Sequence, residues 1–377
     1  MNIVHVIPAF TKGGAERVAV DLANAAVANG DAVAIVAAFH VPEDLLLCDL
    51  RDEVDVRYVA RSAGSILAAY LRLLPWMLRN REWLLSRDII HCHLTFGSLF
   101  GAVATAMRAL RRGNRPRIVE TYHGIGAPVR LPLKRFHMAL AATHDGFIAM
   151  AEDEPWSRFA RDHPKVRSAM IPNGIALDLA PPTKAASDAY RAEAGIPSNA
   201  LVIGSVGRLV RERRPEMLMR IFERVARSIP DAHLLMAGSG PEAKRLGIMA
   251  AEAGLAERVH LPGLALRPAL PLSIIHLYLT LNVGPITGIA ALEAAAMGLP
   301  LIAFQANDAY RTGPGDWIYS SSDPSAVAAE AVRLLGSVEA RRALAARQHQ
   351  HVLAHHGAEA MFRAYRAFYE KILGSPD

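Results

Sequence analysis

Between Arg267 and Asp308 the only charged side chain is Glu293, in the stretch PALPLSIIHLYLTLNVGPITGIAALEAAAMGLPLIAFQAN. This stretch constrains the fold more than any other, because it divides itself into strand, turn, helix and second strand. Apolar residues prone to extended structure run to Leu281, and Gly284, Pro285 and Gly288 make a turn. Thr287 is placed to cap a helix of Ala, Leu and Ile, which Gly298 and Pro300 end before the apolar run Leu301–Phe304. Two buried strands joined through a helix lie parallel in one sheet. A turn of this kind aims backbone N–H groups and a positive helix end at one point, where phosphate binds well. Burying an unpaired carboxylate is costly. Glu293, about one and a half turns into the helix, therefore calls for a polar partner, such as whatever hangs from that phosphate.

The same rhythm fills the chain. Ile3–Ile7, Ala32–Ala38, Ile89–Cys92, Ile118–Thr121, Phe147–Ala149 and Ala169–Ile171 read as buried strands of a first half. Leu201–Val206, His233–Ala237, Val259–Leu261, Leu277–Leu281 and Leu301–Phe304 repeat the pattern in a second. Helical spacing between them, as in Glu16–Ala28 and Gly97–Leu110, predicts an α/β chain of two doubly wound, Rossmann-like domains. These would face each other across a ligand cleft. The Pro-rich stretch Ala180–Ser187 is the linker candidate, dividing an N-terminal domain 1–179 from a C-terminal domain 180–355. A last helix in 356–377 is expected to pack back across the domains.

Composition excludes several classes. Hydrophobic residues make up 52% and charged residues 21%, so the chain forms cores. Two cysteines, Cys48 and Cys92, are too few for a disulfide framework and fit a reducing cytoplasm. MNIVHVIPAF reads as a first strand and not a signal peptide, and no 18-residue run escapes Pro, Gly or charge, so no membrane span is expected. The net charge of +6 is concentrated in the first half, in Arg72, Arg79, Arg81 and Arg87, then Arg108–Arg117, then Arg130, Lys134 and Arg135. Such clusters suit an anionic surface or solvated helix faces. Aromatic platforms are not arrayed among them, so nucleic acid is not expected as a partner.

Further groups join Glu293 as candidates for chemistry. GSVGRLVRERRPE places Arg208 just past a strand end and Arg213 five residues later, and two guanidiniums at that edge suit the paired oxygens of a diphosphate. Thr287, Gly288 and Ile289 can present N–H groups to phosphate, while Glu293 can accept hydrogens from a vicinal diol such as ribose. FTKGGAERV sets Gly13 and Gly14 in a loop that a substrate can approach closely, with Glu16 opening the next helix. TYHGIG ends a strand at His123. His91 and His93 share one face of a strand with Cys92 opposite, but without another ligand nearby in sequence they read as structural.

Together GGAERV, TYHG, IPNGI, GRLVRER, AGSGPE and GIAALEAAAMGLPLI resemble the retaining, metal-independent glycosyltransferases of GT-B fold, family four, along nearly the whole chain. The resemblance implies that Arg208 and Arg213 hold a donor diphosphate, with Arg213 where the family usually has Lys. It implies that Glu293 binds the nucleotide ribose, that the amides near Gly288 hold a phosphate, and that Gly14 lies against the donor. His123 would touch the sugar, and Asn173 would sit near the cleft between domains. Neither cofactor nor metal is expected; the partners would be a nucleotide-sugar and a glycan or lipid-linked acceptor. Surface-polysaccharide assembly in bacteria is the implied setting. One position departs from the pattern: where the family usually has a second acid, eight residues before the ribose-binding Glu, this chain has Pro285. Two other readings stay open, an inactive nucleotide-sugar-binding subunit and a sugar-nucleotide epimerase of the same architecture.

AYLRLLPWMLRNREWLLS (Ala69–Ser86) interleaves Tyr70, Leu71, Leu74, Trp76, Met77 and Trp83 with arginines. It reads either as a helix lying in an anionic membrane surface or as an ordinary sheet-covering helix, with Pro75 as a break or a start. The location expected from these features is cytoplasmic, with peripheral contact at the inner face of the plasma membrane as the alternative.

Overall fold

The structure is a computed structural model describing residues 1–11, 13–41, 46–60, 66–111, 115–123, 131–151, 154–177, 180–265, 267–282, 287–305 and 317–374, with backbone only at 131–134, 154–156 and 282. Gly124, Arg130, Gly284 and Pro285 lie outside the described residues. The chain divides into two compact units, Met1–Gly174 with Ala358–Asp377, and Ile175–Gly357.

The first unit runs β1 (Asn2–Ile7), α1 (Gly14–Ala28), β2 (Ala32–Phe39), β3 (Asp55–Ala60), α2 (Ile66–Arg79), α3 (Arg81–Leu85), β4 (Ile89–His93), α4 (Leu94–Leu110), β5 (Arg117–Tyr122), α5 (Leu131–Ala141), β6 (Gly146–Ala149), α6 (Glu154–Asp162) and β7 (Arg167–Met170). Its sheet has the order β3-β2-β1-β4-β5-β6-β7, with every pair parallel. The near-continuous apolar runs of β1, β2 and β4 follow from burial on both faces. Strand β3 escapes the sequence pattern because Asp55 and Arg57, a salt-bridged pair at 2.7 Å, break its apolar run near the sheet edge.

The second unit runs α7 (Lys184–Glu193), β8 (Leu201–Val206), α8 (Glu216–Ser228), β9 (Ala232–Ala237), α9 (Ala243–Glu252), β10 (Val259–His260), α10 (Ala269–Ser273), β11 (Leu277–Asn282), α11 (Ile289–Ala296), β12 (Leu301–Gln305), β13 (Tyr319–Ser321), α12 (Pro324–Leu335) and α13 (Val338–His355). Its sheet order is β10-β9-β8-β11-β12-β13, again all parallel. The expected linker is shorter than 180–187: Thr183 caps α7, its side chain accepting from the Ala186 N–H, and the helix starts at Lys184. Helix α13 docks through Gln348, which is fully buried and bonds both the N–H and the carbonyl of Leu301 at 2.8 Å. His351 of α13 is less solvated than its polar setting suggests, since it stacks on Trp317 with ring centres 4.5 Å apart.

The last helix, α14 (Ala358–Leu373), belongs to the first unit. Arg366 pairs with Asp31 at 2.7 Å, and the Tyr365 hydroxyl lies 3.1 Å from Thr121 Oγ1. Helix α2 runs through Pro75, which the sequence suggests as a break. Pro75 is exposed, so water can serve the Leu71 carbonyl that the missing N–H would have bonded. No helix among the described residues is long and apolar enough to cross a membrane.

Glu120 on β5 is fully buried, yet its carboxyl is held down to about 2. Burial alone would raise it, but His137, 2.6 Å away, and His144, 3.1 Å away, prevail. His137 is raised in turn, because the Glu120 hydrogen bond and charge outweigh burial.

Two loops of the second unit are zipped together. Gly207 N–H donates to the Ala237 carbonyl at 3.0 Å, and Leu209 N–H to Ser239 at 2.8 Å. The Gly207 carbonyl fills the space that a Cβ at Gly238 would need. Backbone on backbone cannot yield as a side-chain tip can. Gly238→Ala should lower unfolding stability by about 2 kcal/mol or more, whereas Gly247→Ala, with open space around it, should not; urea unfolding of both variants checks the difference.

Candidate functional site

In an open parallel sheet, ligands bind beyond the carboxyl ends of the strands where strand order reverses. In the second unit that reversal lies between β8 and β11. Beyond β8 the chain passes Gly207 and an exposed Arg208, then anchors itself through buried Leu209. A 3-10 turn, Arg211–Arg213, follows, and Arg214 in the left-handed region (φ 49°) redirects the chain into α8. The Arg213 guanidinium folds back over Gly207: a Cβ there would come within 2.7 Å of its Nη1, and Gly207 has φ +153°. Any side chain at 207 would drive Arg213 off.

Tyr278, the second residue of β11 and opposite Gly204 on β8, is 2% exposed. Its hydroxyl lies 3.3 Å from both the Val206 N–H and carbonyl. Burial pushes that hydroxyl up, bonds to Val206 and Ser205 and the Arg213 charge pull it down, and the Glu293 carboxylate pushes it up again. Arg213 and Glu293 therefore act on one buried atom. Arg213 itself is lowered, first by burial and then by the Arg208 charge. Arg213 and Glu293 thus act on Tyr278, and Arg208 acts on Arg213. The sequence reading missed Tyr278; its signal was a lone hydroxyl-bearing aromatic among aliphatic residues of a buried strand, which needs a hydrogen-bond partner.

Helix α11 corrects one expectation. Its N-cap is Gly288 and not Thr287, and Gly288 has no side chain with which to cap it. Gly serves as an N-cap through its backbone alone. Ile289 opens the helix, and Glu293 is half-buried while Leu292 and Ala294 beside it are buried.

In the first unit strand order reverses between β1 and β4. His5 on β1 sits in register with His91 on β4, and His93 follows on the same face, while Cys92 packs into the opposite apolar layer. The rings form a chain: His5 Nδ1 is 3.2 Å from His93 Nε2, and His93 Nδ1 is 2.8 Å from His123 Nε2. His91 is held at both ends, by Thr121 Oγ1 and by the Tyr369 hydroxyl, each at 2.7 Å. Burial lowers His5 to about 3 and His123 to about 4, and it takes His91 and His93 well below the ordinary imidazole range. His5, His91 and His93 each offer a nitrogen within 4.8 Å of the others, a grouping the sequence hid because His5 lies 86 residues from His91. Both nitrogens of His91 and of His93 already have partners, so the group reads as a hydrogen-bonded chain that ends at His123.

Gly13 is the N-cap of α1 and Gly14 its first residue. The Glu16 carboxylate folds back into the space a Cβ at Gly13 would need, where it also accepts from Thr11 Oγ1 at 3.2 Å. Gly13 thus has a local reason for its missing side chain. Asn173 is buried beyond β7, next to Gly174, whose N–H lies 3.1 Å from Met361 Sδ on α14.

Residues 12–179 match the family described as Glycosyltransferase Family 4, and residues 200–337 match Glycosyl transferases group 1. The chain is 30% identical over 207 residues to a D-inositol 3-phosphate glycosyltransferase of Corynebacterium urealyticum, covering 50% of this chain and 48% of that one. It is 28% identical over 217 residues to a GDP-mannose-dependent alpha-(1-6)-phosphatidylinositol monomannoside mannosyltransferase of Mycolicibacterium smegmatis, covering 54% and 56%. The chain thus spans about half the length of these curated relatives. Among solved structures, Anabaena HepE in complex with UDP-glucose superposes with a TM-score of 0.81 at 17% identity, over 98% of this chain and 100% of that one. Sucrose-phosphate synthase of Thermosynechococcus elongatus gives 0.76 at 19% identity over both whole chains. At these identities the likeness is one of fold: α/β, in two Rossmann-like domains, as in the GT-B enzymes.

The buried imidazoles make stability depend on pH. Unfolded, they take up protons near 6.5; folded, His5, His91 and His93 refuse them until far lower pH. Each then contributes about 1.4 kcal/mol of lost stability per pH unit as pH falls below 6.5. His137, raised when folded, acts in the opposite direction, while the Glu120 contribution is intact above about 4.5 and is lost only below it. Among the described residues His123, His276, His233, His260 and His351 are lowered by burial as well, so the balance is eight imidazoles against one. The urea midpoint should fall steadily from pH 7 to pH 5, and His5→Gln should flatten that slope; a midpoint constant over this range would mean the chain is not neutral.

Proposed function

Since the chain belongs to the family 4, group 1 glycosyltransferases, we propose that it moves a sugar from a nucleotide-sugar donor to a glycan or lipid-linked acceptor, with retention of configuration. The observation that carries this reading is the convergence of Arg213 and Glu293 on the Tyr278 hydroxyl, at the strand-order reversal of the second sheet. Paired guanidiniums suit a diphosphate, and a carboxylate nearby suits the ribose diol that accompanies it. The start of α11, with Gly288 and Ile289, offers backbone N–H groups to the same diphosphate.

The chemistry asked of such a site is electrostatic. As the bond from the sugar to the diphosphate breaks, negative charge grows on the leaving oxygens, and Arg208, Arg213 and the helix end stabilise it without rearranging. One preorganised donor of this type is worth roughly 10²–10³ in rate. Two fixed guanidiniums supply positive charge of the kind a divalent ion would otherwise bring, so the reading is metal-independent. The leaving diphosphate, on the face where the acceptor hydroxyl attacks, takes up its proton. His123, held by His93, is the candidate group for touching the sugar. Pro285 stands where the related enzymes have an acid toward the sugar hydroxyls, so sugar choice and rate are where this chain departs from them. The setting we infer is the cytoplasmic side of a bacterial plasma membrane, in surface-polysaccharide assembly.

Thermal unfolding with UDP, GDP, ADP and their sugars tests the donor site. A ligand at 100 times its dissociation constant adds about 2.7 kcal/mol. One nucleotide series should stabilise the wild type, and Glu293→Ala and Arg213→Ala should each lose most of that shift. Retention should appear as an unchanged anomeric configuration in the NMR spectrum of the transferred sugar. Stabilisation without transfer would favour a nucleotide-binding subunit, conversion of the nucleotide-sugar alone would favour an epimerase, and no stabilisation by any nucleotide would end the donor-site reading.

A further inference from the structure

Helix α2 has two apolar faces, and only one of them is used. Ala69, Leu73 and Met77 are buried against the sheet of the first unit. Leu67, Leu71, Leu74 and Leu78 are 62%, 74%, 53% and 53% exposed. At about 100° per residue these four fall within roughly 60° of one another, centred some 130° from the buried face. They form a row about 16 Å long. Arg72 and Arg79, both exposed, occupy the third face, and exposed Arg81 opens α3 directly after, 3.9 Å from the exposed Glu82 carboxylate. Helix α2 carries no acidic residue. The aromatic residues that make this segment look membrane-like in sequence are turned inward: Trp76 packs on Phe100 and Trp83, with ring centres 6.1 and 6.4 Å away.

We propose that the leucine row of α2 inserts into the surface of an anionic lipid bilayer, with Arg72, Arg79 and Arg81 reaching the headgroups beside it. Four neighbouring leucines in water forgo a favourable transfer that a bilayer interface restores. The row offers no polar atom with which to orient a protein partner. At one side chain wide and about 16 Å long, it is also far smaller than the roughly 800 Å² per partner of a stable dimer. A bilayer requires no such complementarity. The flank on α2 itself, Arg72 and Arg79 with no acid on the helix, matches a negative surface. Lying in the interface, the leucines would reach the boundary of headgroups and acyl chains while the arginine stems run along it with their tips in water. The purpose of this surface rests on the lipid-linked acceptor proposed above; its evidence is the geometry of α2 alone.

Flotation of the full chain with vesicles tests it. Phosphatidylcholine vesicles should leave the protein at the bottom of the gradient, and vesicles with one quarter phosphatidylglycerol should carry it up. Leu71→Ser with Leu74→Ser should weaken that partitioning at least about tenfold. Arg72→Ala with Arg79→Ala should weaken it by a similar factor, as should 0.5 M salt for the wild type. The UDP, GDP and ADP thermal shifts, read on the same variants without vesicles, report the donor site separately, so either idea can fail while the other stands. Urea unfolding of each variant shows that it is folded. Wild type absent from the floated fraction overturns the proposal, as does flotation undiminished in the leucine variant. A dimer in light scattering that the leucine variant abolishes, with no flotation, assigns the row to a second copy and overturns it as well.

Discussion

The buried hydroxyl of Tyr278 bonds to the backbone of Val206 at the end of β8, and the charges of Arg213 and Glu293 both act on it. A phenol enclosed in a sheet must find a partner, and its partner here is the last residue of the neighbouring strand. That bond ties β11 to the start of the loop bearing Arg208 and Arg213. Arg213 lies over Gly207, the residue directly after Val206, and Glu293 acts on the same hydroxyl from α11. The core thus sets the spacing of the charges. Surface arginines tethered only by their own stems would not hold such an arrangement.

The first unit solves a related problem without charge. His5, His91 and His93 are buried where an ionised imidazole would be costly, and they stay neutral by bonding one another, Thr121 and Tyr369. Tyr369 comes from α14, 278 residues beyond His91, so the C-terminal helix completes a hydrogen-bond network begun by β1 and β4. On the other side of β5, Glu120 is buried and ionised because His137 and His144 surround it. The same sheet therefore carries a neutral polar chain and an ionic cluster.

Much of the fold was legible. Continuous apolar runs separated by helical spacing predicted parallel sheets, and eleven of the strand segments were marked by that pattern alone. The edge strand β3 was hidden by its charged pair, and the three-residue β13 was too short to show a period. Position in the sequence also showed which side chains stand near strand ends, since Arg208 follows β8 and His123 follows β5. It did not show the Gly288 cap, because Thr287 is the better capping residue by type, and only the backbone geometry decides which residue closes a helix. The outward leucines of α2 were masked for the same reason. Leu, Trp and Met alternate densely there, and which of them meet the sheet depends on a helix rotation that the pattern leaves undetermined.

By itself, then, the sequence determined the α/β class, the two sheets and the residue types at their strand ends, because apolar periodicity and glycine placement are local properties of a chain. The tertiary structure decided which of those residues meet. Arg213 and Glu293 are 80 residues apart and act on one hydroxyl, and His5 joins His93 across 88. Convergence of this kind follows from strand order in a parallel sheet, which brings distant strand ends to one edge, and strand order is not written in any local period.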